Sequence, residues 1–412
     1  MNRAAFVLLW SFVFVLPWDE FMQLPLLGSI PHLVGVVASG VGVLYILARR
    51  RFRPLSGFHV LAMLFVLWAG LSAFWSIDPN ATRARFVTYL QLAVLVWLIW
   101  EIGWSPDRLR ALLQAYVLGA CVAAAAIGYN YVSGISYWVD RSRFAGLNND
   151  PNELGLTLAL GLPIAWYLSL SQPGRRLAWG WQLYVPVGAA AILLTASRGA
   201  FVAALVALAI IPWALGHLRL RTKAVVYAFA VAWLVLASWI VPSAPLERLA
   251  GTRADIAGGY FGGRGSIWRA GLQLVRQRPI AGVGAGGFGE AIAPINGGYI
   301  QASHDAYLSI LVELGIVGLA LFLAMMTAAL TPLRRLPTLQ RRFSIVLLAT
   351  LAVGSLSLTW ESRKQLWFVL GVLAAQRIPQ PARRANARVV VAHASSTTSP
   401  PANHSAATGG GV

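Results

Sequence analysis

The sequence predicts an all-α, polytopic membrane bundle with about 12 transmembrane helices and an extracytoplasmic loop containing short amphipathic helices. Three observations carry this. Of 412 residues, 58% are hydrophobic and only 11% are charged, whereas soluble domains carry roughly 25%. Lipid must therefore solvate much of the outside, where helices can be apolar all round. The apolar residues also fall into runs of about 20, the length that crosses a bilayer. The basic residues lie in short clusters between these runs, so the net charge of +19 reads as membrane topology and not as nucleic-acid binding.

Taken in order, the runs cover 4–17, 28–48, 58–75, 86–103, 111–128, 153–170, 179–197, 199–216, 224–241, 306–330, 343–360 and 365–377. A cytoplasmic N-terminus puts most of the 33 Lys and Arg on the inner side. These include Arg3, the cluster from Arg49 to Arg53, Arg108 and Arg110, Arg175 and Arg176, Arg219 to Lys223, Arg334 and Arg335, and Arg341 and Arg342. By the positive-inside rule both termini are then cytoplasmic. Met1 to Pro17 has a basic start and an apolar stretch with no small-residue cleavage site after it, so no cleaved signal peptide is expected. Cys121, the single cysteine, lies in an apolar run, which excludes a disulfide framework and a Cys-based metal site. Residues 1–378 form the membrane domain. Residues 379–412, rich in Ala, Ser, Thr, Pro and Gly, form a disordered cytoplasmic tail.

Residues 242–303 form the one very long connection, and it faces outward. Within it Gly265 to Gln277 reads as a short amphipathic helix, ended by Pro279. Trp268, Leu272 and Val275 share one face, with Arg269 and Arg276 on another. Such a helix rests on the membrane surface or caps a cavity.

Four polar stretches interrupt this apolar chain on its outward side. Thr195-Ala196-Ser197-Arg198-Gly199 joins two spans with almost no loop, so Arg198 either snorkels to the headgroups or points into the bundle. Arg264 opens the amphipathic helix. A cation there opposes the helix dipole, and a bound anion would remove the conflict. Ser303-His304-Asp305 sits at the outer mouth of the span from Ala306, and Glu313 lies about two turns inside it, as a functional acid or the partner of a buried arginine. Arg141 and Arg143 precede Asn149-Asp150-Pro151-Asn152-Glu153, where Asn152 is expected to cap the next helix and the arginines to remain free for an anion. Gly282-Val283-Gly284-Ala285-Gly286-Gly287 satisfies GxGxxG but follows no strand, so it reads as a flexible loop near the site and not as a dinucleotide fingerprint. No Walker A sequence and no outward acidic cluster occur, so neither ATP hydrolysis nor a divalent metal is expected.

Together, Ser197-Arg198-Gly199, Arg264 with Trp268, Pro279 to Gly284 and His304 through Gly318 resemble the O-antigen ligase and polymerase family of bacterial envelope glycosyltransferases. The resemblance spans roughly Arg143 to Gly318. It implies a bundle of about a dozen helices in the bacterial inner membrane, with a large outward loop over a periplasmic active site. It implies an undecaprenyl-pyrophosphate-linked glycan donor, a lipid A–core or glycan acceptor, membrane lipids as surroundings, and no cofactor, metal or nucleic acid. Carried onto this chain, Arg198 and Arg264 become diphosphate clamps, with Arg143 a less specific third. His304 becomes the catalytic base or acceptor-positioning residue, with Asp305 and Glu313 as supporting groups. Asp305 stands where many members have Asn.

The resemblance implies inverting, metal-independent ligation of O-antigen to lipid A–core. Polymerisation of O-antigen or exopolysaccharide repeats and transfer of glycans to protein share the same donor motifs. A solute transporter is the reading from another class, though no repeat symmetry supports it. A non-catalytic envelope scaffold would have no need of His304 and arginines on one face.

Overall fold

The computed structural model describes residues 2–18, 23–24, 28–136, 143–146, 150–171, 177–215 and 263–376, with isolated positions between 219 and 251. Most of the predicted span 224–241, most of the connection before residue 263 and the tail from 379 lie outside the described residues.

The described chain is helical apart from a two-residue antiparallel ladder pairing Gln23–Leu24 with Gly28–Ser29. Its helices are α1 (Asn2–Val15), α2 (Ile30–Arg49), α3 (Gly57–Leu71), α4 (Pro79–Ile102), α5 (Pro106–Val132), α6 (Pro151–Ser171) and α7 (Leu177–Leu194). They continue with α8 (Arg198–Leu208), α9 (Ile210–Leu215), α10 (Gly265–Gln277), α11 (Phe288–Ile292), α12 (Ala306–Ala328), α13 (Thr338–Ser355) and α14 (Lys364–Ala375).

Among the described residues six stretches are long and apolar enough to cross a membrane: 30–49, 57–74, 79–102, 106–132, 151–171 and 306–335. Four shorter apolar helices cover 2–18, 178–194, 198–213 and 364–375. The predicted run 199–216 is broken between α8 and α9. The run 343–360 is shifted, because α13 starts on the polar turn at Thr338 and stops at Ser355, leaving 356–363 as a loop. Apolar composition alone did not reveal that loop, since Leu356, Leu358 and Trp360 continue the hydrophobic pattern through it.

Local sequence fixes the helix starts. Asp78 precedes Pro79 and accepts the Asn80 and Ala81 amides, and Ser105 precedes Pro106 and accepts the Arg108 amide. Proline at the first helical position loses no hydrogen bond, and the preceding side chain satisfies an orphan amide. The same pair, Asp150 and Pro151, opens α6: Asp150 Oδ1 accepts the amides of Asn152 (2.6 Å) and Glu153 (3.4 Å). Asp150 is therefore the cap, and the expectation for Asn152 is corrected; Asn152 already lies inside the first turn.

Helix α6 is buried along nearly its whole length and packs on α7, α8, α5 and α13. Helix α1 packs on α2 and α5, α12 on α3, and α14 on α4. Close approach needs small residues at the crossings. Tyr184 of α7 lies over Gly161 and donates to the Leu158 carbonyl (2.9 Å), where a Cβ on Gly161 would stand 2.4 Å from the phenol oxygen.

Helix α12 is broken at Gly315 (φ 68°, ψ −169°), a conformation essentially reserved for glycine. The break frees backbone groups inside an apolar bundle, and segment 279–288 takes three of them. Ile316 N–H donates to the Pro279 carbonyl (2.9 Å), while the Val312 and Glu313 carbonyls accept from Val283 and Gly284 (both 2.9 Å). Gly282, Gly284 and Gly286 all have positive φ. The GxGxxG segment is thus a tightly packed plug and not a flexible loop, because glycine alone lets two backbones come this close. Gly315→Ala would add a Cβ 2.0 Å from the Ile280 carbonyl oxygen in a forbidden backbone region. It should cost at least about 1–3 kcal/mol, seen as a lowered melting temperature in detergent. An unchanged melting temperature would mean α12 is not broken there.

Candidate active site

Four helix starts, those of α6, α8, α10 and α12, meet around the 356–363 loop, and each brings one of the polar stretches singled out in the sequence. The tight turn before α8 places Ala196 in the left-handed region (φ 50°) and makes Ser197 the cap of α8, its Oγ accepting the Ala200 amide (3.3 Å). Arg198 is the first helical residue, and Gly199 beside it lies against Ser357, where a Cβ would be 2.0 Å from Ser357 Oγ. Arg264 stands at the N-terminus of α10 and turns across to the same residue, its Nη1 donating to the Ser357 carbonyl (2.9 Å). A backbone carbonyl thus meets a cation whose position opposes the helix dipole.

His304 sits two residues before α12, half-buried and in the left-handed region (φ 50°). That conformation costs a non-glycine residue roughly 1–2 kcal/mol, and such strain clusters at functional sites. Its backbone N–H donates to Thr359 Oγ1 (3.1 Å), and its ring has no hydrogen-bond partner among the described residues. Burial and the nearby Arg264 guanidinium hold the imidazole below its ordinary value of 6.5, with Asp150 pulling the other way. The ring is therefore neutral at pH 7 and able to accept a proton. Asp305 caps α12, its Oδ1 accepting the Leu308 amide (2.9 Å). Burial pushes its carboxyl up, against the Leu308 and Tyr307 amides and Arg264.

Arg198, Arg264 and His304 are thus tied to one loop: Arg198 through its neighbour Gly199, Arg264 through Ser357 and His304 through Thr359. Two other sequence candidates take different places. Arg143 is only 7% exposed, and it donates to the Thr195 carbonyl (3.2 Å) and Asn152 Oδ1 (2.8 Å). It fastens its segment to the turn before Arg198 and is not free for an anion as expected. Arg141 lies outside the described residues. Glu313 is buried in α12, and its carboxylate accepts the amides of Gly286 (2.7 Å) and Phe288 (3.4 Å). It secures the glycine segment against the helix break.

The face of α10 is also corrected. Ile267, Ala270, Gly271 and Leu274 are its buried residues, packed towards Phe288 and Val312, while Leu272 is 51% exposed. Trp268 is half-buried and its Nε1 donates to the Ser303 carbonyl (2.9 Å), linking α10 to the residue before His304. The expectation followed an i, i+4, i+7 register from Trp268. The packing follows the i, i+3, i+7 register one residue earlier.

Sequence reading missed the 356–363 loop itself. Besides Ser357 and Thr359 it holds Glu361, fully buried and paired with Arg85 of α4 (3.2 Å), and Arg363, paired with Glu153 of α6. The signal available was Glu361-Ser362-Arg363-Lys364, four polar residues between apolar runs. Among the described residues no group of three or more His, Cys, Asp or Glu side chains is placed to hold a metal ion.

Fold and site together define an α-helical protein, with several helices able to cross a membrane, that gathers arginines and a neutral histidine at helix N-termini. The O-antigen ligase family model matches residues 183–323, the part of the chain that holds Arg198, Arg264 and His304. Arg143 and the 356–363 loop fall outside the match. The exopolysaccharide production protein ExoQ of Rhizobium meliloti (strain 1021) is 24% identical over 295 residues, covering 66% of this chain and 65% of that relative's own length.

The contact between Gly199 and Ser357 is testable by compensation. Gly199→Ala should lower the melting temperature, because neither helix end can move far in the packed bundle. Ser357→Gly in the same chain, which removes the clashing atoms, should restore most of the loss. A double variant no better than Gly199→Ala would rule out this contact.

Proposed function

We propose that the protein transfers a glycan from a polyprenyl-pyrophosphate donor to an acceptor sugar at the periplasmic face of the inner membrane, by inverting, metal-independent ligation of O-antigen to lipid A–core. The observation that carries this is the common loop behind Arg264, His304 and the start of α8. It gathers two cations and a neutral base at the termini of helices from an apolar bundle. Undecaprenyl pyrophosphate is the donor lipid that the family resemblance suggests.

The chemistry follows from these groups. An acceptor hydroxyl attacks the anomeric carbon from the face opposite the diphosphate. A C–O bond to the acceptor forms as the bond from carbon to the diphosphate oxygen breaks. His304 takes the hydroxyl proton, which a neutral imidazole can do near pH 7. The diphosphate leaves with the bonding pair, and Arg198 and Arg264 stabilise the charge it gathers. Asp305 and Arg143 support the corner and the turn that hold these groups.

A second reading, polymerisation of exopolysaccharide repeats, is favoured by the similarity to an exopolysaccharide production protein. It uses the same donor chemistry and differs in the acceptor, which would be a second lipid-linked glycan.

The test is transfer from a polyprenyl-pyrophosphate glycan by purified protein in lipid nanodiscs with EDTA, offering lipid A–core and a second donor as alternative acceptors. His304→Ala should lower kcat by roughly 10²–10⁴-fold, and Arg264→Ala or Arg198→Ala by roughly 10²–10³-fold. A folded His304→Ala protein with full activity would remove the base assignment. Transfer only to the second donor would select polymerisation. The pH profile is a separate check. Because His304 protonates below its ordinary value of 6.5, the rate should hold from pH 7 down to 6.5 and fall only beneath it. A profile already falling at pH 7 contradicts a depressed histidine.

A further inference from the structure

We infer that Thr359 is a positioning residue for His304, held in place by the pair of half-buried Arg85 and buried Glu361. This rests on His304 acting as the base. Neither Thr359, Arg85 nor Glu361 lies within the stretch that matches the O-antigen ligase family.

The hydroxyl protons allow one arrangement. Ser303 Oγ donates its proton to the Asp305 carbonyl (2.7 Å), which leaves its lone pairs to accept. Thr359 O–H can then donate to Ser303 Oγ (3.2 Å), while Thr359 Oγ1 accepts the His304 amide (3.1 Å). One hydroxyl therefore binds both residues of the corner that carries the imidazole. Such a hold matters for His304, since its left-handed backbone (φ 50°) is uncommon for any residue other than glycine.

The loop supplying this hydroxyl is fixed two residues further on. Glu361 Oε1 accepts from Arg85 Nη1 (3.2 Å) and from Ser309 Oγ (3.1 Å), and Arg85 also donates to Ser362 Oγ (2.8 Å). Ser309 lies one turn into α12, with its amide donating to the Asp305 carbonyl (3.0 Å). The loop thus grips the His304 corner at Thr359 and the helix that follows it at Glu361. Leaving the buried Glu361 carboxylate without Arg85 is costly, so this attachment resists drift. The Ser357 carbonyl of the same loop receives Arg264, so the spacing between base and cation is set by one short piece of chain.

Thr359→Val keeps the shape of the side chain and removes the hydroxyl, and Thr359→Ser keeps the hydroxyl. In the nanodisc transfer assay, Thr359→Val should lower kcat roughly 10- to 100-fold, as expected when a reacting group is displaced by about 1 Å. KM for the donor should stay near the wild-type value, and Thr359→Ser should recover most of kcat. If the valine variant does not fold, Thr359→Ala removes the same hydroxyl without placing a methyl against the amide, and the same outcomes apply. Wild-type kcat in the hydroxyl-free variant, a change confined to KM, or a serine variant no better than valine would each overturn the inference. Full activity in His304→Ala would overturn the base assignment instead, and that result does not depend on Thr359.

Discussion

Backbone and side-chain polar groups buried in an apolar bundle must be satisfied by the chain itself, and the break in α12 is where that constraint shapes the most structure. Ile316 and the Val312 and Glu313 carbonyls all lose helical partners there, and segment 279–288 supplies each one. The Glu313 carboxylate then fixes that segment by taking two of its amides. Trp68 and Trp75 add indole bonds to the Leu314 and Ala281 carbonyls, so the break is closed from α3 as well. With the plug in place, α10 packs through Ile267 and Leu274 onto Phe288 and Val312, and Arg264 at its start has a fixed origin.

The same constraint accounts for the 356–363 loop. Non-helical backbone and five polar residues sit between α13 and α14. They are stable because Arg85, Glu153, Ser309 and the His304 corner provide partners. The groups that satisfy the loop are the groups that organise the candidate site. Satisfaction and function are thus coupled, because the loop that needs these partners also holds Arg264 at the Ser357 carbonyl and the His304 corner at Thr359. A neutral histidine beside an arginine is also what this environment favours, since burial and a neighbouring cation both disfavour a second positive charge.

Much of this was legible along the chain. The apolar runs located most helices, because a bilayer-length run leaves few alternatives, but they placed the starts of α4 and α5 at 86 and 111, past the polar first turns that follow Asp78-Pro79 and Ser105-Pro106. Arg198, Arg264 and His304 stood out in the sequence because ionisable residues are rare in it and therefore conspicuous. Errors arose where composition is silent about packing. Asn152 and Asp150 are both competent caps, and only the position of Pro151 inside the helix decides between them. The α10 face was misjudged because Trp268 is amphipathic: its ring covers surface while its Nε1–H bonds the Ser303 carbonyl, so its hydrophobicity did not mark the buried register.

The sequence by itself determined the helical class, the positions of most helices and which charged residues sit at helix ends, since these follow from local composition and short-range capping. Tertiary structure decided how those residues are used. Arg143 became a fastener and not a free cation, Glu313 an acceptor for the Gly286 and Phe288 amides, and Thr359 and Glu361 the partners of groups more than fifty residues away along the chain. No local pattern encodes such pairings, because they depend on which helix ends meet in space. That meeting is set by small residues at crossings, such as Gly161 and Gly199, and by the one break in α12 that only glycine permits.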